Sequence, residues 1–177
     1  MTIQSLRPMP RILFLFAAAL IASSGTTQAQ LEAAPTGRNF DPVAFFSGST
    51  EGRGVLKKTF SAKQTTHVTG VGTMRADGHL IIDQEVRIEG EKIQNRHWQL
   101  HEVRPGNFSG TISDAKGVVT AAVAGNRLNI SYKMKDGGMS VVQVLTMAAD
   151  GRSVHNTMKI KKFGIVFATL DETIRKV

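Results

Sequence analysis

In the stretch 80-LIIDQEVRI-88 the side chains take turns. Leu80, Ile82, Gln84, Val86 and Ile88 share one parity, and Ile81, Asp83, Glu85 and Arg87 share the other. Successive side chains of a strand point to opposite faces, so a period of two predicts a ribbon with one dry and one wet side. The pattern returns in 127-RLNISYKMK-135, where Leu128, Ile130, Tyr132 and Met134 oppose Arg127, Asn129, Ser131, Lys133 and Lys135. It returns again in 153-SVHNTMKIK-161, with Val154, Asn156, Met158 and Ile160 on the more apolar side. A chain that keeps this period over most of its length builds sheet, not helix.

Turn signals cut the runs apart: Asp77-Gly78, Glu89-Gly90, Pro105-Gly106, Lys116-Gly117, Gly125-Asn126, Asp136-Gly137 and Asp150-Gly151. Glycine at such points supplies the positive φ that tight hairpins require. Strands joined in this way, with no long crossover, form an antiparallel meander. About eight or more of them close most economically into a single all-β, up-and-down barrel, because closure leaves no edge exposed. Two segments depart from the pattern. In 40-FDPVAFFSG-48, Asp41 can cap a helix, Pro42 suits its first position and Gly48 ends it. This predicts a short N-terminal helix whose Phe45 or Phe46 plugs one end of the barrel. The tail 169-TLDETIRKV-177 fits a short helix or an edge strand equally well.

The chain opens with MTIQSLRPMPR, an apolar run ILFLFAAALIA and the small-residue end SSGTTQAQ. This order is that of a secretory signal peptide, cut after Ala29. The run is short of the ~20 residues that a spanning helix needs. The expected organisation is a signal peptide over 1–29, a flexible linker over 30–39 and a barrel domain over 40–177, exported to the periplasm. The sequence has no cysteine. Disulfides, thiolate metal sites and cysteine nucleophiles are excluded, and so is lipid attachment through an N-terminal Cys, which makes a soluble form the expectation. The formal charge is +8 at pH 7. The signal segment holds Arg7 and Arg11 and no acid, so the remainder stays basic. Outside the cytoplasm such a surplus meets anionic envelope surfaces before it meets nucleic acid. A single Trp and a single Tyr also fit nucleic-acid binding badly.

His97 and His101 in 95-NRHWQLHEV-103 are spaced as metal ligands would be on a helix. On a strand they stand about 13 Å apart and cannot share an ion. The segment alternates, and Trp98 and Leu100 want the interior, so the histidines turn outward. No metal site and no cofactor is expected. The same parity turns Arg96 inward beside Trp98. A buried guanidinium needs a partner, and Asp114 at the end of 108-FSGTISD-114 is the natural one. Gln84, Tyr132 and Asn156 also interrupt apolar faces, and Gln143 joins them less firmly because 139-MSVVQVLTM-147 is apolar on both sides. Trp98, Arg96, Asp114, Gln84, Tyr132, Gln143 and Asn156 are therefore the candidate polar lining of an internal cavity. Small inward residues such as Gly110 and Ala121 leave room for one.

The chain also resembles an uncharacterised family of small exported bacterial envelope proteins, often lipoproteins, designated domain of unknown function 3833. The likeness runs through 40-FDPVAFFSGSTEGRG-54, Arg96-x-Trp98, 110-GTISDAKG-117, Gly125-Asn126, Tyr132, Asn156 and 162-KFG-164. It implies a lipocalin-like, calycin-type barrel and no established activity. This sequence lacks the lipid-attachment Cys of typical members, and it has Gln143, Val144 and Leu145 where many carry an acidic pair before an aromatic.

Three functions follow as expectations. In the first, the barrel binds a small hydrophobic or amphiphilic molecule, its chain on the apolar wall and its head at Arg96, Gln84, Tyr132 and Asn156. In the second, a solid barrel docks through basic outer residues, including Lys159 and Lys161, on anionic surfaces. The third is a lipid-modifying enzyme using Asp114 or Tyr132, for which the sequence offers no G-x-S-x-G elbow and no nucleophile–base pair.

Overall fold

A computed structural model describes residues 39–177. The expected signal segment 1–29 and all but the last residue of the linker 30–39 lie outside the described residues. One short helix, α1 (Pro42–Phe46), precedes ten strands: β1 (Gly48–Lys58), β2 (Lys63–Met74), β3 (His79–Ile88), β4 (Gln94–Arg104), β5 (Asn107–Ile112), β6 (Ala115–Ala124), β7 (Arg127–Met134), β8 (Met139–Met147), β9 (Ser153–Lys162) and β10 (Ile165–Lys176). Each strand pairs antiparallel with the next, and β1 also pairs with β10, so the sheet closes into a barrel. The fold is the all-β, up-and-down barrel that the alternation predicts. The tail is settled as a strand: residues 168–176 pair with Thr50–Lys58 of β1 and complete the closure.

The alternating runs face as their parity requires. Leu80, Ile82 and Val86 of β3, Trp98 and Leu100 of β4, Leu128, Ile130 and Tyr132 of β7, and Val154 and Met158 of β9 are buried. The turn glycines Gly78, Gly90, Gly106, Gly117, Gly125, Gly137 and Gly151 all have positive φ.

The helix sits where the sequence places it. Asp41 caps it by accepting from the Ala44 N–H at 2.9 Å, and Pro42 opens it. Gly72 lets it approach β2, because a Cβ there would lie 1.8 Å from the Phe46 carbonyl oxygen. Phe40, Phe45 and Phe46 are all buried, and the Phe45 and Phe46 rings meet edge-on with centroids 5.0 Å apart. The Phe40 N–H donates to Gly125 O in the β6–β7 turn, and Lys176 Nζ donates to Ala44 O at the end of β10. These contacts fix α1 at the end of the barrel that holds the β2–β3, β4–β5, β6–β7 and β8–β9 turns. The opposite end, which carries the β1–β2, β3–β4, β5–β6, β7–β8 and β9–β10 turns, has no covering helix among the described residues.

Candidate functional site

The barrel encloses a cavity of about 120 Å³. Leu56, Val68, Leu80, Ile82, Leu128, Ile130 and Met158 contribute to a largely apolar wall that reaches from Pro42 and Phe46 at the plug to Ile88 and Ile160 near the open end. Six polar side chains interrupt it: Thr50, Thr66, Gln84, Arg96, Gln143 and Glu172.

Two rows of paired residues explain the polar wall. Arg96 on β4 lies opposite Gln84 on β3, Gln84 opposite Gly70 on β2, and Gly70 opposite Thr50 on β1. Gln84 is held by Trp98, whose Nε1–H donates to Gln84 Oε1 at 2.7 Å. Arg96 Nε stands 3.0 Å from Asp114 Oδ2. That contact lies off the axis of a hydrogen bond, and Arg96 Nε and Asp114 Oδ1 both lack a hydrogen-bond partner. It is an ion pair by distance more than by alignment.

The second row runs Asn156 on β9, Glu172 on β10, Gly54 on β1 and Thr66 on β2. Asn156 Nδ2 donates to Glu172 Oε2 at 2.9 Å. Glu172 Oε1, Asn156 Oδ1 and Thr66 Oγ1 are buried with no partner. The carboxyl fits because β1 carries glycine beside it. A Cβ on Gly52 would lie 2.4 Å from Glu172 Oε1, and one on Gly54 would lie 2.8 Å from Glu172 Cβ. Glycine within a strand marks this kind of close approach. Burial raises the pKa of the Glu172 carboxyl above its ordinary value, against the opposing pull of the Asn156 hydrogen bond and the Arg96 charge. Desolvation disfavours the charged form of an acid, and here it outweighs both.

The sequence candidates divide into two groups. Gln84, Arg96, Trp98 and Gln143 line the cavity. Gln143 is placed by its register opposite Ile130, which resolves the ambiguity of a strand apolar on both sides. Asp114, Tyr132 and Asn156, expected to line it too, stand behind the wall. Asp114 lies in the β5–β6 turn and serves Arg96. Tyr132 packs edge-on against Trp98, with ring centroids 6.1 Å apart. Its phenol is pushed up to about 12, first by burial and further by Asp114, with Arg96 opposing. Asn156 is fully buried and touches the cavity through Glu172.

Of the small inward residues, Ala121 lines the cavity. Gly110 does not provide space, because a Cβ there would lie 1.9 Å from the Gln99 carbonyl oxygen, where β4 fills the gap with backbone. Neither acid offered for catalysis faces the cavity, and the carboxyl that does, Glu172, was not among the candidates. Its signal was present: Leu170, Glu172 and Ile174 share a parity in the tail. Outside the barrel, His97 Nδ1 lies 2.6 Å from Asp83 Oδ1, and the His101 ring meets His79 at a tilt of 52° with centroids 5.0 Å apart. Among the described residues no three His, Asp or Glu side chains converge as a metal would need.

Comparison with known structures places the barrel among lipocalin-like folds. The S-type phycobiliprotein lyase CPES from Guillardia theta is similar with a TM-score of 0.61 at 9% identity, over 76% of this chain and 90% of that one. Rv2717c from M. tuberculosis is similar with a TM-score of 0.59 at 14% identity, over 78% of this chain and 99% of that one. A DUF3598 family protein of unknown function from Nostoc punctiforme follows with a TM-score of 0.55 at 11% identity, over 80% of this chain and 51% of that one. At these identities the likeness is one of fold. No curated protein matches the chain. The sequence itself matches the model of a family of proteins of unknown function, DUF3833, over residues 19–176, and the chain belongs to that family.

Proposed function

We propose that this protein is an exported, periplasmic carrier or sensor that binds a small amphiphilic molecule inside its barrel. The observation that carries the reading is Glu172 Oε1, a buried carboxyl oxygen without a partner on the wall of an apolar cavity, beside the partnerless Thr66 Oγ1. An unsatisfied buried polar atom costs roughly 1–3 kcal/mol. A ligand group that donates a hydrogen bond to Glu172 recovers that energy and is oriented by it.

The chemistry of the head follows from charge. Arg96 already has Asp114 as its counter-ion, which argues against a carboxylate or phosphate head. Glu172 adds an acid, not a second cation, to the wall, and its free Oε1 accepts. A neutral head with a hydrogen-bond donor, such as a hydroxyl, a primary amide or a protonated acid, suits this wall better than an anion. An apolar cavity of about 150 Å³ holds a benzene-sized molecule. The space here is about 120 Å³, so it takes the head and first carbons, and a longer tail points to the open end.

Native mass spectrometry of protein released gently from the periplasm tests the reading. The expected spectrum contains a bound small molecule that is lost in Glu172→Leu. Bare protein in the spectrum, together with no response to alcohols, amides or fatty acids added afterwards, overturns it.

A further inference from the structure

The open end of the barrel is built unlike the rest of the surface. Its β9–β10 loop consists of Phe163 and Gly164 alone, at φ of 51° and 82°. Two-residue hairpin loops with both φ positive take Asn-Gly or Asp-Gly, because a bulky side chain is strained there. In the β1–β2 loop Phe60 also sits at positive φ (60°), in a turn closed by Ser61 N–H to Lys58 O at 3.2 Å. Turn chemistry favours glycine at that place. Both rings point into solvent: Phe60 is fully exposed and Phe163 is 88% exposed, with Ile165 at 75% beside it. The two tips are neighbours, since the Thr59 N–H donates to Phe167 O at 2.8 Å. Strained backbone that carries exposed phenylalanine gives the isolated fold little in return beyond Lys162 Nζ, which lies over the Phe163 ring at 5.8 Å.

Charge is segregated to the same end. Ten of the eleven lysines lie in its turns or within three residues of the strand ends that form it; Lys176 is the exception. They form rows around the outer wall. Lys57 pairs directly with Lys63 across β1–β2, and Lys57 and Lys159 flank Thr169. Lys116 pairs with Lys133 across β6–β7, and Lys133 and Lys161 flank Ser140. Like charges directly opposite in a sheet are destabilising. The acids of this end are fewer: Glu85, Glu89, Glu91, Asp114 and Asp136, of which Glu85, Glu91 and Asp114 are paired with Arg87, Lys58 and Arg96. At the helix end, by contrast, the cations are nearly balanced by Asp41, Glu51, Asp77, Glu102 and Asp150.

Apolar tips within a lysine belt match one surface, an anionic bilayer, whose headgroups attract the cations and whose interface accepts the rings. We propose that the protein docks on anionic lipid membranes through its open end, with Phe60 and Phe163 entering the interface and the lysine rows lying against the headgroups. The inference rests on the rim and stands apart from what fills the cavity.

Co-sedimentation with vesicles of phosphatidylcholine alone, and of phosphatidylcholine mixed with phosphatidylglycerol, tests it. The protein sediments with the mixed vesicles, does so less in high salt, and does not sediment with phosphatidylcholine alone. The double variant Phe60→Ser/Phe163→Asn loses at least about tenfold in partitioning, from the apolar area no longer buried. Its melting temperature is unchanged or higher, because Asn accepts the positive φ more readily than Phe. Equal sedimentation of wild type and variant, or no preference for the mixed vesicles, overturns the proposal. A dimer in lipid-free solution that the double variant dissolves would overturn it as well, since a second copy would then be what covers the tips.

Discussion

Asn156 and Glu172 meet across the β9–β10 pair, the amide of one donating to a carboxyl oxygen of the other at 2.9 Å, while Asn156 Oδ1 and Glu172 Oε1 have no partner. Such a half-satisfied pair in a barrel interior stores free energy that a packed core of this size has no structural reason to keep. It separates this barrel from one filled for stability alone.

The pair makes stability depend on pH. Glu172 has its folded pKa raised above its ordinary value, so between those two values the folded state binds more protons than the unfolded. Its contribution is complete below the ordinary carboxyl range and is lost as pH rises through the folded value. Thermal unfolding followed by circular dichroism should show a fall in melting temperature across this window in the wild type and a flatter profile in Glu172→Gln. Parallel profiles would show that folding does not raise the carboxyl's pKa.

The phenol gives an independent reading of the same interior. Tyr132 is the single tyrosine of the chain, so ultraviolet titration reports it alone. Half-ionisation is expected near the raised value of about 12 and not near 10. Because the shift is upward, the stability it represents is present below pH 10 and disappears as pH climbs toward the folded value. A midpoint at the ordinary value would place Tyr132 in contact with solvent, contrary to its packing on Trp98.

Space for the carboxyl comes from β1. Gly52→Ala brings a methyl group to 2.4 Å from Glu172 Oε1 and should destabilise the protein by roughly 1–3 kcal/mol in urea unfolding. Adding Glu172→Ala removes the clash, so the double variant should recover part of the loss, with a coupling of about 1 kcal/mol or more. Strictly additive effects would mean that the two residues do not share the space.

Asp114 controls the rim of the cavity. Asp114→Asn removes the acid that balances Arg96, whose charge already opposes the upward shift at Glu172. The variant should move the Glu172-dependent loss of stability to lower pH while costing about 1–2 kcal/mol for the unpaired guanidinium. An unchanged pH profile in Asp114→Asn would disconnect the two sites.

The parts of the account differ in how far they can be read from the residues alone. Alternation in 80–88, 127–135 and 153–161 fixes which side chains enter the barrel, because parity in a strand leaves no third choice. Glycines such as Gly78 and Gly151 mark the hairpins through the one conformation that other residues avoid. Arg96 beside Trp98 is legible for the same reason, and Asp114 follows from the need to balance a buried charge. Glu172 escapes because its strand is short of turn signals and its neighbours Asp171 and Thr173 blur the period. The size of the cavity depends on where backbones touch, as at Gly110 and Gln99, and no local pattern encodes that. The loops at Phe60 and Phe163 hide in the sequence because they place an aromatic where a small polar residue is expected.

Trp98 is the single tryptophan, it lines the cavity, and its indole is bonded to Gln84. Its fluorescence therefore tests the claim of a polar-headed ligand inside the barrel more directly than any other measurement. Titration with medium-chain alcohols and primary amides should shift the emission saturably in the wild type and at least about tenfold more weakly in Glu172→Leu, as the loss of one buried hydrogen bond predicts. An emission spectrum that stays constant across the whole series, or a shift that Glu172→Leu reproduces at the same concentrations, would contradict the account.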